Sequence, residues 1–207
     1  MDKKKEIIKG VKTLVLKKGY NNVSVEDITT YIGIAKGSFY TYFKSKNSLI
    51  NYILEEKIMR LKREMNNFFK NIENIDQAVE KLVKLKLVLK NEEDIKVDLM
   101  ITSFFRNIDS LDEHTVKILI DIEKITVNFV KKILLTYQKD TKIQIEDIEF
   151  YSKFVNSIIN NYKIFNLFVS DKNDFIRTIH ELDKKYRNKE FKSDMEKIIQ
   201  SIIKILK

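Results

Sequence analysis

Ser24-Val25-Glu26-Asp27-Ile28-Thr29-Thr30-Tyr31-Ile32-Gly33-Ile34-Ala35-Lys36-Gly37-Ser38-Phe39-Tyr40-Thr41-Tyr42-Phe43-Lys44 reads as two short helices on either side of a glycine turn. Ser24 and Asp27 have capping-box spacing: the serine oxygen takes a free amide of the first turn, and the acid three residues on reaches back to the serine N–H. Gly33 supplies a residue that accepts positive φ without strain, so the first helix of the pair ends near Ile32. The second runs from about Lys36 to Tyr42. A further helix starts near Ser45. Two short helices joined by a glycine-containing turn make a helix-turn-helix.

Working outward, the stretch Lys3 to Lys18 sets Ile7, Ile8, Val11, Leu14 and Val15 on one helical face. Gly19 stands where a helix C-terminus favours a left-handed residue, with lysines in the turn before it. Val25, Ile28, Phe39, Phe43 and Leu49 are spaced as inward anchors of a three-helix head. On the other side, amphipathic helices are expected from about Lys46 to Lys70, Asp76 to Leu89, Asp94 to Phe105, Asp112 to Tyr137, Ile145 to Val169 and Met195 to Leu206. The charged stretch Asp171 to Asp194 holds Phe175, Ile176, Ile179, Leu182 and Tyr186, which suggest one helix more. The expected fold class is all-α. The one plausible boundary lies at Lys44 to Asn47, dividing a head (residues 1–46) from a body (residues 47–207).

Composition agrees. The 207 residues contain no proline and four glycines, at positions 10, 19, 33 and 37, so tight hairpins have no material beyond residue 37. Cysteine is absent, which excludes disulfides and thiolate metal sites. No apolar run approaches the roughly 20 residues of a membrane span, and the basic start lacks the continuous apolar region of a signal peptide. A cytoplasmic address is expected, with no membrane partner. Residues 1–47 hold ten lysines against four acids, a net +6 out of the chain's +9. A basic head on a nearly balanced body points to nucleic acid; a lysine-rich solvated surface without a partner gives the same count.

Gly19-Tyr20, the Ser24-capped helix with Ile28, Gly33 at the turn, and the run Lys36-Gly37-Ser38-Phe39-Tyr40-Thr41-Tyr42-Phe43-Lys44-Ser45-Lys46 with Leu49 together resemble the DNA-binding domain of the TetR family of repressors. The resemblance covers about the first 50 residues. It implies DNA contacts at Ser24, Lys36, Gly37, Tyr40, Tyr42 and Lys46, with Ser38 and Thr41 beside them. Each has a physical reason. Lys36 and Gly37 occupy the first turn of the helix that enters the major groove in this motif. The lysine can donate to guanine O6 or N7, and the glycine lets backbone approach closely. Tyr40, Thr41 and Tyr42 offer hydroxyls. Lys46 opens the fourth helix, where its charge and the free N–H groups hold phosphate together. Plainer readings stand beside these: Tyr40 and Tyr42 as cover for the head's apolar core, Ser24 as a cap alone, Lys44 as a solvated charge. Three departures from the family pattern bear on rigidity. Ala35 replaces a capping Ser or Thr, a loss of about 1 kcal/mol. Thr29 and Ile32 stand where alanine is preferred. Gly10 weakens the first helix by about 1 kcal/mol relative to alanine.

For the body, the resemblance implies a helical bundle that forms a homodimer and encloses a small-molecule pocket. The helix from Ile145 carries Phe150, Tyr151, Phe154, Val155, Ile158, Ile159, Tyr162 and Phe165 over about half its circumference, more than the roughly 100° that one core requires. Two partners are implied, its own core and a second subunit, with Ile158, Tyr162 and Phe165 here and Ile198 and Ile202 on the last helix as dimer contacts. A thick monomeric core is the alternative. Phe104, Phe105, Tyr137, Tyr151, Phe154 and Tyr162 are the expected pocket lining for a lipophilic or planar effector; plain core is again the alternative. His114 and His180 are isolated, so no metal site is expected. No serine-histidine-acid order, phosphate loop or paired carboxylates suggest an enzyme, and nothing calls for a cofactor. The implied function is repression from a palindromic duplex operator, relieved by the effector. The alternative on this fold is a ligand-independent architectural or division-linked DNA-binding protein.

Overall fold

The computed structural model describes residues 2–88, 91–164 and 189–207. Among the described residues every regular element is helical: α1 (Lys3–Lys18), α2 (Val25–Ile32), α3 (Lys36–Tyr40), α4 (Lys46–Asn66), α5 (Ile75–Leu87), α6 (Glu92–Arg106), α7 (Glu113–Thr136), α8 (Ile148–Tyr162) and α9 (Lys189–Leu206). The expected all-α class is the class found. Packing divides the chain into two compact units, Met1–Leu61 with Asn91–Asp121, and Lys62–Lys90 with Ile122–Lys207.

In the first unit α1 turns Ile7, Val11, Leu14 and Val15 inward and packs on α2 and on α6. Its approach to α2 is close at Gly10, where a Cβ would stand 2.6 Å from Ile32 Cγ2. The glycine and the bulky isoleucine are complementary, so two of the departures noted in the sequence belong to one contact. Helix α6 begins with Glu92, Glu93 and Asp94, where the exposed amides of a first turn favour negative charge. Ion pairs tie it to its neighbours: Lys57 Nζ of α4 meets Asp98 Oδ1 at 2.7 Å, Arg60 of α4 pairs with Asp94, and Lys12 of α1 pairs with Glu93. The head therefore does not pack alone; its unit takes in α6 and the start of α7.

In the second unit α5 packs on α8 and on α9. Phe68 stands edge-on to Phe129 of α7 (4.8 Å between centroids), and Phe69 stacks on Tyr137 at 6.4 Å. A polar crosslink runs through this apolar interior. Asn156 of α8 is buried; its Oδ1 accepts from Lys86 of α5, and its Nδ2 faces Glu123 Oε2 of α7 at 3.5 Å.

Several bounds differ from expectation. Helix α4 stops at Asn66, short of Lys70, and Asn71 adopts φ 59°, a left-handed conformation that asparagine tolerates. A 3-10 turn over Ile145–Asp147 precedes α8, and α9 begins at Lys189, upstream of Met195. The helix expected around Phe175 to Tyr186 lies outside the described residues, as do Phe165 and His180. One dimer contact is corrected: Ile202 has no exposed surface and belongs to the chain's own core, on the buried face of α9 with Phe191, Ile199 and Leu206. Among the described residues no helix is long and apolar enough to cross a membrane.

Candidate nucleic-acid interface

The local structure of the head follows its side-chain chemistry. Ser24 is the N-cap of α2: its Oγ accepts from Asp27 N (3.0 Å), and its own N–H donates to Asp27 Oδ2 (2.9 Å), closing the capping box. Lys18 Nζ, at the end of α1, donates to Asp27 Oδ1 at 2.7 Å. That bond, with those from Ser24, holds the Asp27 carboxyl far below the usual carboxylate range. Gly33 ends α2 at φ 72° and ψ 39°, with its N–H returning to Thr30 and Thr29 carbonyls, and the chain turns into α3. Ala35 opens α3 without a side-chain cap, as its methyl group requires.

Helix α3 buries Phe39, which meets Phe43 at 6.0 Å, and turns its other side outward. Lys36, Gly37 and Tyr40 are exposed at i, i+1 and i+4, hence on one face. Nothing lies within 4 Å of a Cβ built on Gly37. Tyr40 is 49% exposed and Tyr42 42%, so neither ring is spent on covering the core. Thr41 is exposed, with its hydroxyl donating to Gly37 O at 3.2 Å; Ser38 is half-buried. Ser24 is exposed at the head of α2, and Lys44 is exposed beyond α3. Lys36, Gly37, Tyr40, Thr41 and Tyr42 thus share one stretch of open surface.

Lys46 is different. Its Nζ donates to the Tyr20 carbonyl at 2.8 Å and stands 4.1 Å from the centroid of the Tyr20 ring. Burial pushes its ammonium below the ordinary lysine value. The Tyr20 hydroxyl donates to Asn47 Oδ1, and burial, then the charge of Asp112, push that phenol up. Asn47 and Asp112 are residues the sequence did not single out as part of a site, and Tyr20 entered only with Gly19 as an element of the motif. The signal that existed was the place of Asp112 at the expected start of the helix from Asp112 to Tyr137, which says nothing of Asn47.

The expected pocket aromatics are divided between the two units. Phe104 and Phe105 belong to the first unit, where Phe104 is buried edge-on to Tyr20 at 5.4 Å. Tyr137, Tyr151, Phe154 and Tyr162 belong to the second. There the Tyr137 hydroxyl donates to Ile72 O (3.1 Å) and the Tyr162 hydroxyl to Asp194 Oδ2 (3.2 Å). Burial, then the Asp194 charge, push the Tyr162 phenol up to about 12. Phe154 points outward, stacked at 5.8 Å on the exposed Phe150. Of the expected dimer contacts, Ile158, Tyr162 and Ile198 keep part of their surface.

Residues 7–53 match the family of bacterial regulatory proteins known as the tetR family. The uncharacterized HTH-type transcriptional regulator YwcC of Bacillus subtilis is 43% identical over 49 residues, 24% of this chain and 22% of YwcC. YerO of the same organism, also an uncharacterized HTH-type transcriptional regulator, is 23% identical over 168 residues, 80% of this chain and 57% of YerO. The chain thus spans about a fifth of the first relative and just over half of the second. Among solved structures, the fatty acid degradation regulator FadR of Bacillus halodurans superposes with a TM-score of 0.69 at 16% identity, over 98% of this chain and 99% of FadR. The likeness to the tetR family thus lies in residues 7–53, while the resemblance to solved structures over the rest of the chain is one of fold.

Proposed function

We propose that this chain is a sequence-specific DNA-binding transcription regulator of the cytoplasm, acting as a repressor on a palindromic operator. The observation that carries the reading is the outward face of α3, where Lys36, Gly37 and Tyr40 stand clear of the core in a head of net charge +6. An unobstructed glycine beside a free lysine in the first turn is a surface a major groove can accept. Residues 1–46 read the DNA and residues 47–207 form the dimerising and sensing body. Ser24, Ser38, Thr41, Tyr42 and Lys46 supply phosphate and sugar contacts around the reading pair. Two heads in one homodimer set inverted half-sites about one helical turn, or a multiple, apart.

Release follows from a small lipophilic or planar effector held in the body. The aromatic group of Phe68, Phe69, Phe129 and Tyr137 supports that class of ligand. The effector acts by binding the DNA-free state better, and only by that difference. Fluorescence anisotropy on a selected operator and a scrambled duplex, across a salt series, tests the DNA reading. Lys36→Ala relaxes preference at one base pair by roughly 1–3 kcal/mol, while Lys46→Ala weakens every sequence alike and flattens the salt slope by about one unit. If both variants keep the affinity, specificity and slope of the parent, the DNA face lies elsewhere.

A further inference from the structure

Asn47 and Asp112 stand outside α2 and α3, yet in the first unit a single line of hydrogen bonds joins them to the lysine proposed to meet phosphate. Asp112 precedes α7 and takes the Thr115 N–H on its Oδ1 at 3.0 Å. Its Oδ2 takes Asn47 Nδ2, from the first turn of α4, at 3.0 Å. Asn47 Oδ1 takes the Tyr20 hydroxyl, and the Tyr20 carbonyl takes Lys46 Nζ. Thr115 Oγ1 lies 2.6 Å from Asp112 Oδ2 and 2.8 Å from Asn51 Oδ1. A hydroxyl has one proton, so both contacts are satisfied when Thr115 donates to the carboxylate and Asn51 turns its amide nitrogen toward Thr115.

The line has one possible direction. An ionised carboxylate only accepts, so Asn47 must present its NH2 group to Asp112 and its oxygen to Tyr20. The Tyr20 hydroxyl must then donate. Burial alone would raise the Asp112 carboxyl, but the hydroxyl and amide of Thr115 hold it below the ordinary aspartate value, in its accepting form. Turning the Asn47 amide over would set its NH2 group against the Tyr20 donor and its oxygen against the carboxylate. The Tyr20 ring is thereby fixed, with one edge contact to Phe104 and one face under the Lys46 ammonium. An ammonium has three N–H donors; one is used on the Tyr20 carbonyl, and the half-buried side chain is already ordered. Ordering it beforehand removes rotamer entropy that a free lysine would lose on meeting a phosphate.

We propose that Asn47 and Asp112 are positioning residues for DNA binding: through Tyr20 they hold the Lys46 ammonium ready for a backbone phosphate. The proposal rests on the DNA-binding function proposed above. Its test uses the full chain and the variants Asn47→Ala, Asp112→Ser and Tyr20→Phe. Serine keeps the helix cap at residue 112 but is too short to reach Asn47. Phenylalanine keeps the ring under Lys46 and removes only the hydroxyl.

Operator binding is measured by anisotropy across a potassium chloride series. Each variant is expected to bind roughly fivefold more weakly, the net worth of about one hydrogen bond. Its salt slope falls toward that of Lys46→Ala, and in the Lys46→Ala background it has no further effect. Equal weakening in both backgrounds, or an unchanged slope, overturns the proposal, because a merely structural contact would act independently of Lys46. Amide exchange of the DNA-free chain separates this failure from failure of the DNA reading. The N–H groups of Asn22 and Val23, bonded to the Gly19 and Tyr20 carbonyls, exchange faster in all three variants if the line holds Tyr20. Unchanged exchange overturns the line itself. Faster exchange in a protein that binds no duplex would remove the DNA function and, with it, the positioning role.

Discussion

Gly10 is the residue whose meaning changes most once its neighbours are known. In an isolated helix it is a defect; against α2 it is the space that Ile32 needs. Gly10→Ala gains about 1 kcal/mol of helix propensity but drives a methyl group into a branched side chain, an overpacking cost of typically 1–3 kcal/mol. We expect Gly10→Ala to lower the urea midpoint and Gly10→Ala with Ile32→Ala to recover part of the loss, a non-additivity that equilibrium unfolding measures directly. Gly37 is the opposite case. With open space around it, Gly37→Val leaves the melting temperature nearly unchanged and abolishes duplex binding, since the obstruction lies only at the face presented to the groove. Loss of folding in this variant would place Gly37 in the core of the head and refute the assignment.

At the scale of elements, the head is joined by charged contacts that respond to pH and to the loss of one partner. Asp27 ties the start of α2 to the end of α1 through Lys18. Its folded pKa is depressed, so the stability it confers is present above the unfolded value of about 4 and is lost as the pH falls below it. Thermal unfolding of the parent chain should therefore weaken on acidification below about pH 4 more than that of Asp27→Asn, which lacks this titration. Parallel pH profiles would show that the Lys18 bond contributes nothing. Helix α6 is held more deeply. Lys57 and Asp98 are 14% and 8% exposed, and removing one partner leaves the other charge in a poorly solvated place. Asp98→Ala should lose about 3 kcal/mol in urea unfolding, whereas an effect near zero would mean that Lys57 finds water or another acceptor when Asp98 is gone.

At the scale of the molecule, the features that call for a partner are an outward lysine-glycine face in the first unit and an outward aromatic pair in the second. Phe150 is 62% exposed and Phe154 38%, one turn apart on α8 with their rings nearly parallel, while Val155 and Ile159 of the same helix are buried. A helix that is apolar on both sides fits the proposed homodimer. Phe150→Glu with Phe154→Glu should give monomers by light scattering with helix content unchanged. Dimers that persist in this double variant would move the interface off α8. The same variant, if monomeric, should lose most of its operator affinity, because each head would then bind its half-site alone.

The sequence by itself determined what depends on residues a few positions apart. The Ser24–Asp27 box, the turn at Gly33, the uncapped start at Ala35 and the exposed Lys36–Gly37 pair are local matters, settled by backbone sterics and by which side chains reach which amides. Periodicity likewise located the amphipathic helices, since a stripe of apolar side chains must be buried somewhere. It did not say against what. The Phe150 and Ile202 stripes look alike in sequence, yet Ile202 lies in the chain's own core and Phe150 faces outward, because only packing chooses which part of a wide apolar face is covered first. The contact between Asn47 and Asp112 spans 65 positions, and that between Lys57 and Asp98 spans 41. A polar side chain on a helix offers its charge or amide to any neighbour, so the tertiary arrangement alone decided that these would meet.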